Sequence, residues 1–314
     1  MSVQAMREAA VQTVGAVDVQ PMSIHTGAEI HGVDLSRPLP PAHVSAVRAA
    51  LVRWKVVFFR NQSLDHRQHI AAARHFGETT AGHVVYGSDG EYPQIYSVAK
   101  NRKANRFQGQ TLFRPWSGWH TDITAAVNPP AASMLRGDIV PPYGGDTQFT
   151  NLVAAYNALS PVMRTFVDGL RGVHRFAPPP GVDETPEYRA LMQKRILASE
   201  HPIVRVHPES GERALFVSPS FLKSIVGVSP RESQVLLEFL WEHIVRPEFT
   251  VRFRWAPGSV AFWDNRATAH LAPRDIFDSD FDRQFYRVTL VGDVPVGVDG
   301  KPSKALEGEP IQAL

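Results

Sequence analysis

The sequence predicts a mainly β chain, a barrel or sandwich of strands with helices packed outside it, and three observations carry that expectation. Phe249, Val251, Phe253 and Trp255 alternate with Thr250, Arg252 and Arg254, the period-two pattern of a strand with one face in the core and the other polar. Short apolar runs follow at residues 260–263, after the turn Pro257-Gly258, and at 285–291, which together read as a closing antiparallel sheet. The strongest helical signal is sharply bounded: Ser229, Pro230 and Glu232 form a capping box with proline at the first helical position, leading into residues 235–245.

From the N-terminus, residues 17–24 and 28–35 read as two short strands around Gly27, followed by Pro40-Pro41 and an amphipathic helix over about 42–54. Val56-Val57-Phe58-Phe59 reads as a buried strand, and Ser63 is expected to cap a second helix that ends near Phe76 and Gly77. Residues 87–118 carry a strand at 94–98 and isolated large side chains at Phe107, Phe113 and Trp116; a loop this long inside a compact chain is expected to be a lid or binding loop, or else disordered. A mobile insertion is expected at about 178–199, where Pro178-Pro179-Pro180 precedes charged residues. The resulting organisation is a flexible N-terminus at 1–16, one domain over 17–295 and a C-terminal tail at 296–314.

Composition narrows the chemistry. The 314 residues are 43% hydrophobic and 20% charged, ample for a buried core. Lys and Arg total 33 against 31 Asp and Glu, with no basic block, so nucleic acid is not an expected partner. The absence of cysteine removes disulfides, zinc–thiolate sites, iron–sulfur clusters and thiol nucleophiles, leaving nitrogen and oxygen as the donors for any metal. Residues 1–20 lack the apolar core of a signal peptide and no run approaches the roughly 18 apolar residues of a membrane helix, so the expectation is a cytoplasmic protein without a membrane partner.

The search for oxygen and nitrogen donors stops at Trp119-His120-Thr121-Asp122, because on a strand His120 and Asp122 project to the same face and can reach one ion together. Alone, a His-x-Asp pair is weak; His270, at the end of the stretch that begins Trp263-Asp264-Asn265-Arg266, is the natural third ligand. Two neutral imidazoles and one carboxylate on one face of a metal suit non-haem iron(II) that must also bind a cosubstrate and dioxygen. Arg283 and Arg287, four apart on an expected strand, share a face and call for anionic partners if they point inward. Gly144-Gly145-Asp146-Thr147 is a tight turn that presents a hydroxyl and by itself predicts nothing. His201 and His207, each before a proline, are expected to be structural, as are Asp264 and Arg266 as turn and sheet-edge residues.

Taken together, the chain resembles the taurine dioxygenase (TauD/TfdA) family of Fe(II)- and 2-oxoglutarate-dependent oxygenases. The matching stretches come in the family's order: Lys55 to Arg60, Phe76-Gly77-Glu78, Trp119 to Asp122, Gly144 to Thr147, Trp255-Ala256-Pro257-Gly258, Trp263 through His270, then Arg283, Arg287 and Val291-Gly292-Asp293. The resemblance implies a double-stranded β-helix (jelly roll), with His120, Asp122 and His270 binding Fe(II) and O2 as a further cosubstrate. It implies that Thr147 and Arg283 hold the distal carboxylate of 2-oxoglutarate, that Arg287 faces the substrate or shares the cosubstrate, and that His83 and Tyr86 line the substrate pocket; Trp116, in the aromatic segment before the metal motif, is a further candidate substrate-binding residue. It also implies a homo-oligomer, a dimer or tetramer.

Arg114-Pro115-Trp116-Ser117-Gly118 departs from the taurine-specific pattern and lacks its asparagine, while Glu200-His201-Pro202 and Val206-His207-Pro208 look more like the alkylsulfatase branch. The expected substrate is therefore a small anion with a larger apolar tail, of the alkyl sulfate or sulfonate type, cleaved to a carbonyl compound with release of the sulfur group. The alternatives are the same oxygenase chemistry on an aryloxyalkanoate or a biosynthetic intermediate, and, outside enzymes, a jelly-roll sensor of small anions.

Overall fold

The computed structural model describes residues 12–14, 17–83, 87–99, 114–176 and 196–314. It begins with strands β1 (Gln12–Val14), β2 (Val17–Pro21) and β3 (Ala28–His31), helix α1 (Pro41–Trp54), β4 (Val56–Phe59) and helix α2 (His66–Arg74). Strands β5 (Tyr96–Ala99), β6 (Ala132–Ile139) and β7 (Thr147–Asn151) follow, then helices α3 (Leu152–Ala158) and α4 (Pro161–Asp168). Strands β8 (Arg171–Arg175), β9 (Ala198–Pro202), β10 (Val204–Val206), β11 (Arg213–Leu215) and β12 (Leu222–Ile225) lead to helix α5 (Pro230–Ile244). The last strands are β13 (Thr250–Phe253), β14 (Val260–Asp264), β15 (Thr268–Leu271), β16 (Gln284–Thr289), β17 (Val296–Gly297) and β18 (Lys304–Glu307).

An eight-stranded sheet, ordered β1-β2-β3-β4-β14-β6-β16-β5, faces a three-stranded sheet, β13-β7-β15. Pairing is antiparallel throughout the eight-stranded sheet except where β3 meets β4. Alternation decides which side chain goes where. Val56 and Phe58 of β4, with Ala261 and Trp263 of β14, point between the sheets and meet Phe149, Val251 and Phe253 of the smaller one. Val57, Phe59, Val260 and Phe262 point the other way, into a second core covered by α1 and α2. Strands buried on both faces explain why Val56 to Phe59 is a continuous apolar run rather than an alternating one. At the centre of the sandwich Phe58 stacks on Phe253 with ring centroids 4.0 Å apart. Burying each such ring contributes about 1.5–3 kcal/mol.

The mainly β architecture with flanking helices agrees with the expectation, and the differences are local. Helix α2 is capped by Asp65 rather than Ser63, because Asp65 and Gln68 form a reciprocal capping box that fixes the helix start two residues later. The strand expected from Phe249 starts at Thr250, since Pro247–Phe249 closes a 3-10 turn first. Part of the expected lid is sheet: β5 pairs with β16 at the sheet edge, whereas residues 100–113 lie outside the described residues. The expected insertion at 178–199 lies almost wholly outside them too, its end forming the start of β9. In the segment expected as a tail, β18 pairs with β9, and Ile311 N donates to Asn128 Oδ1. At the other end, Gln12–Val14 pairs with β2, while 1–11 and 15–16 lie outside the description. No helix of the described residues is long and apolar enough to cross a membrane.

Candidate active site

His120 and His270 are brought together by backbone pairing. They form an isolated antiparallel bridge in which His120 N donates to His270 O at 2.9 Å and His270 N donates to His120 O at 2.7 Å. Directly opposed residues place their side chains side by side, and the two rings sit with centroids 4.2 Å apart. Asp122 is not on a regular strand as the sequence suggested; it opens a turn two residues after the bridge and still shares the histidines' side. One donor atom from each of His120, Asp122 and His270 lies within 4.8 Å of the others, the cluster among the described residues that suits a metal.

The protonation states fit that role. Nδ1 of His120 donates to Gly118 O at 3.0 Å, which leaves the Nε2 lone pair as the ligand. Burial, reinforced by the neighbouring His120, holds His270 well below the ordinary histidine value, so its ring stays neutral. The ring is held in place by Trp263 at 4.8 Å and by Phe149, which stacks at 6.0 Å. Burial alone would raise the Asp122 carboxyl, but the Arg287 guanidinium, with the Ser133 hydroxyl donating to Oδ2, holds it well below the usual carboxylate range, so it stays ionised. Two neutral nitrogens and one anionic oxygen on one side are the donor set that non-haem iron(II) takes.

Behind Asp122 runs a relay that sequence reading missed. Trp263 Nε1 donates to Asn265 Oδ1 at 2.9 Å, Asn265 Nδ2 to Ser133 Oγ at 2.9 Å, and Ser133 Oγ to Asp122 Oδ2 at 2.7 Å. Each member has the right donor for the next, so Oδ2 is fixed and Oδ1 is turned toward the histidines. Oδ1 also accepts from Arg287 Nη1.

Arg287 on β16 and Arg283 just before the strand are each at least nine-tenths buried. Their Nε atoms are buried without a hydrogen-bond partner. Buried guanidinium donors in this condition suit anionic ligands. Arg283 lies 3.9 Å over the Phe285 ring, and burial pushes it down to about 10. It packs against Gly145, whose φ of +65° favours glycine and where a Cβ would come within 3.2 Å of the guanidinium stem. Thr147, two residues on, is buried, and its Oγ1 accepts from Trp255 Nε1 at 3.0 Å, so its own proton is directed elsewhere. The turn that predicted nothing by itself thus supplies a hydroxyl and shapes the space beside Arg283.

Arg287 lies 5.2 Å from the Tyr96 ring, Tyr96 4.8 Å from the His83 ring, and His83 6.3 Å from Phe176, which in turn meets Phe221 at 5.7 Å. A strip therefore runs from the cation beside the triad to an apolar cluster that includes Ile123 and Phe221. Tyr96 and Phe176 were not singled out by the sequence. Tyr86 lies outside the described residues. Trp116 packs against Trp241 of α5 at 6.1 Å, on a different partner from this strip.

Asp264, Arg266 and His207 form a closed network on the other side of the sheet. Asp264 accepts from Arg266 N, Nε and Nη2 at 2.9, 2.8 and 2.7 Å and from His207 Nε2 at 2.9 Å. Arg266 continues to Glu209 at 2.7 Å, and Glu209 to Arg48 at 3.2 Å. His201 is likewise buried and bonded to backbone. The expectation that these residues are structural fits this placement, and Asp264 and Arg266 are buried rather than at an edge.

A family model described as taurine catabolism dioxygenase TauD, TfdA family matches residues 18–289. An alpha-ketoglutarate-dependent sulfate ester dioxygenase of Pseudomonas putida is 42% identical over 297 residues, covering 92% of this chain and 94% of that protein. An alkylsulfatase of Acinetobacter baylyi is 36% identical, covering 88% of this chain and 86% of that protein. Among solved structures, a putative alpha-ketoglutarate-dependent taurine dioxygenase from Burkholderia xenovorans superposes with a TM-score of 0.84 at 64% identity, covering 94% of this chain and 99% of its own.

Proposed function

The chain belongs to the TauD, TfdA family of dioxygenases, and from that premise we propose that it oxidises alkyl sulfate esters with Fe(II), 2-oxoglutarate and O2. The observation that carries the reading is the pair of buried arginines just before and within β16: Arg283, against Gly145 of the turn that presents Thr147, for the cosubstrate's distal carboxylate, and Arg287, beside the triad, for an anionic head group. A bidentate guanidinium suits both a carboxylate and a sulfate.

His120, Asp122 and His270 would hold the Fe(II), which with 2-oxoglutarate and O2 would supply the hydroxylation of the carbon next to the ester oxygen; the hydroxylated ester breaks down to an aldehyde and sulfate. The protein's residues do the positioning. The Ser133 relay keeps Oδ1 of Asp122 directed at the histidines. Thr147 donates its proton to, and Arg283 forks onto, the distal carboxylate of 2-oxoglutarate. Arg287 and His83 orient the sulfate, and the apolar strip from Tyr96 to Phe221 takes the alkyl chain and keeps water from the reacting carbon. The tail is what favours an alkyl sulfate over taurine, whose amine would have to be buried there unpaired.

Assays with hexyl sulfate and with taurine decide between the two head groups. We expect hexyl sulfate to yield succinate, hexanal and sulfate in equal amounts. We expect Arg287→Gln to raise the KM for the ester about tenfold or more while the KM for 2-oxoglutarate changes less, as removal of a charged hydrogen bond requires. Taurine-coupled succinate with sulfite release, and none with hexyl sulfate, overturns the reading in favour of a sulfonate.

A further inference from the structure

Ile123, the residue after Asp122, has φ +46°. A β-branched residue enters this left-handed region only where its surroundings impose it. The segment that follows is a buried, irregular turn with no ladder to satisfy the Thr124, Ala125 and Ala126 carbonyls, and β9 supplies the partners. His201 Nε2 lies 2.8 Å from Thr124 O and 3.1 Å from Ala126 O, and since carbonyls only accept, Nε2 carries the proton and donates to both. Ser199 Oγ donates to Ala125 O at 2.9 Å, and His174 Nδ1 sits 2.9 Å from Thr124 Oγ1. His201 is completely buried, and its Nδ1 is 2.7 Å from Ser303 Oγ. Burial holds this imidazole down to about 3, so it stays neutral with a fixed tautomer.

We propose that His201 is the positioning residue of the carboxylate ligand: by bridging the Thr124 and Ala126 carbonyls it locks Ile123 in its left-handed conformation and so sets the direction in which Asp122 presents Oδ1 to His120 and His270. The inference rests on the reading of Asp122 as a metal ligand. It gives His201, which touches neither metal nor substrate, a measurable effect on the metal. Ser133 fixes Asp122 from the side-chain end and His201 from the backbone end, and the two act on different atoms.

The test uses anaerobic Co(II) as the probe on the whole chain, reading its dissociation constant and visible spectrum. His201→Phe keeps a ring and loses the N–H, His201→Gln keeps an amide donor near the Nε2 position, and His201→Asn places its amide too short to reach both carbonyls. We expect the Phe variant to bind Co(II) about tenfold more weakly or worse with an altered spectrum, and the Gln variant to recover most of both, on the scale seen when groups that orient ligands are removed. Turnover falls in kcat with the KM for 2-oxoglutarate unchanged. A folded His201→Phe protein with wild-type affinity and spectrum overturns the proposal. If that variant does not fold, the Asn and Gln variants decide: Asn weaker than Gln supports it, and equal binding overturns it. Asp122→Ala in the same titration separates the two readings, because undiminished Co(II) binding there overturns the ligand assignment itself.

Discussion

Asp264 and Asp122 are both buried carboxylates beside an arginine, and they are finished differently. Asp264 receives four donors, three from Arg266 and one from His207, and the network continues through Glu209 to Arg48 at the surface. His207 is fixed for its part, since its Nδ1 accepts from Glu209 N and Ser210 N at 3.2 and 3.1 Å. Nothing in that network is left to bind a ligand; it pins the turn from β14 to β15 that carries His270. Asp122 has one oxygen fixed by Ser133 and the other shared with Arg287, amid two neutral imidazoles and an arginine whose Nε is unpaired. A charge whose partners are complete holds the fold together, whereas one whose partners are incomplete marks the reaction site.

The sharpest way to break that comparison is to neutralise each carboxylate. Asp264→Asn leaves Arg266 and His207 facing an amide in a dry interior, and removal of one partner of a buried pair costs about 3–5 kcal/mol, read as a lower urea midpoint. Asp122→Asn is expected to cost less stability and to abolish succinate formation, because the lost charge is a ligand's. Equal losses of stability in the two variants would erase the distinction between the two carboxylates.

Acid sharpens the comparison further. Asp264 is held well below the usual carboxylate range, burial opposing and Arg266 and His207 overcoming it, so its contribution is complete above the unfolded value of about 4 and is lost only as pH falls below it. The buried histidines act earlier. His69 and His201 are both pushed down to about 3 by burial, so between about 6.5 and 3 the unfolded chain takes up protons the folded one refuses. Each then removes up to about 1.4 kcal/mol of stability per pH unit on acidification. Urea unfolding at a series of pH values is expected to show stability falling from about pH 6.5, before either aspartate titrates, and His69→Gln is expected to flatten that slope.

The ligands were legible because their chemistry is written in short local strings: His120-Thr121-Asp122, and Trp263 to His270. Their meeting was not, because the His120–His270 bridge joins residues that no local pattern links. Ser133 and Asn265 were illegible for another reason. Serine and asparagine are common everywhere, and only the distances of 2.7 and 2.9 Å to their neighbours make them part of the site. The strand expected at 56–59 was legible because burial on both faces leaves a run of apolar residues, whereas the start of α2 was misplaced because Ser63 and Asp65 are both competent caps and Gln68 decides between them.

The subtlest contrast lies within the proposed cosubstrate pocket, between Thr147, proposed to meet the carboxylate, and Trp255, which would act through it. Trp255 donates from Nε1 to Thr147 Oγ1 at 3.0 Å while its ring packs edge-on against Phe285 at 4.7 Å and Phe253 at 5.0 Å. Trp255→Phe keeps an aromatic ring in that core and removes the donor, so Thr147 loses the bond that orients its hydroxyl. A neutral hydrogen bond is worth about 0.5–1.5 kcal/mol, which predicts a rise of about two- to tenfold in the KM for 2-oxoglutarate. The kcat should hold, because the distal carboxylate is remote from the reacting carbon. Thr147→Val removes the donor itself and should do at least as much. Because Trp255 acts through Thr147, the double variant should be no worse than Thr147→Val alone, and full additivity of the two effects would show that Trp255 contributes by packing instead.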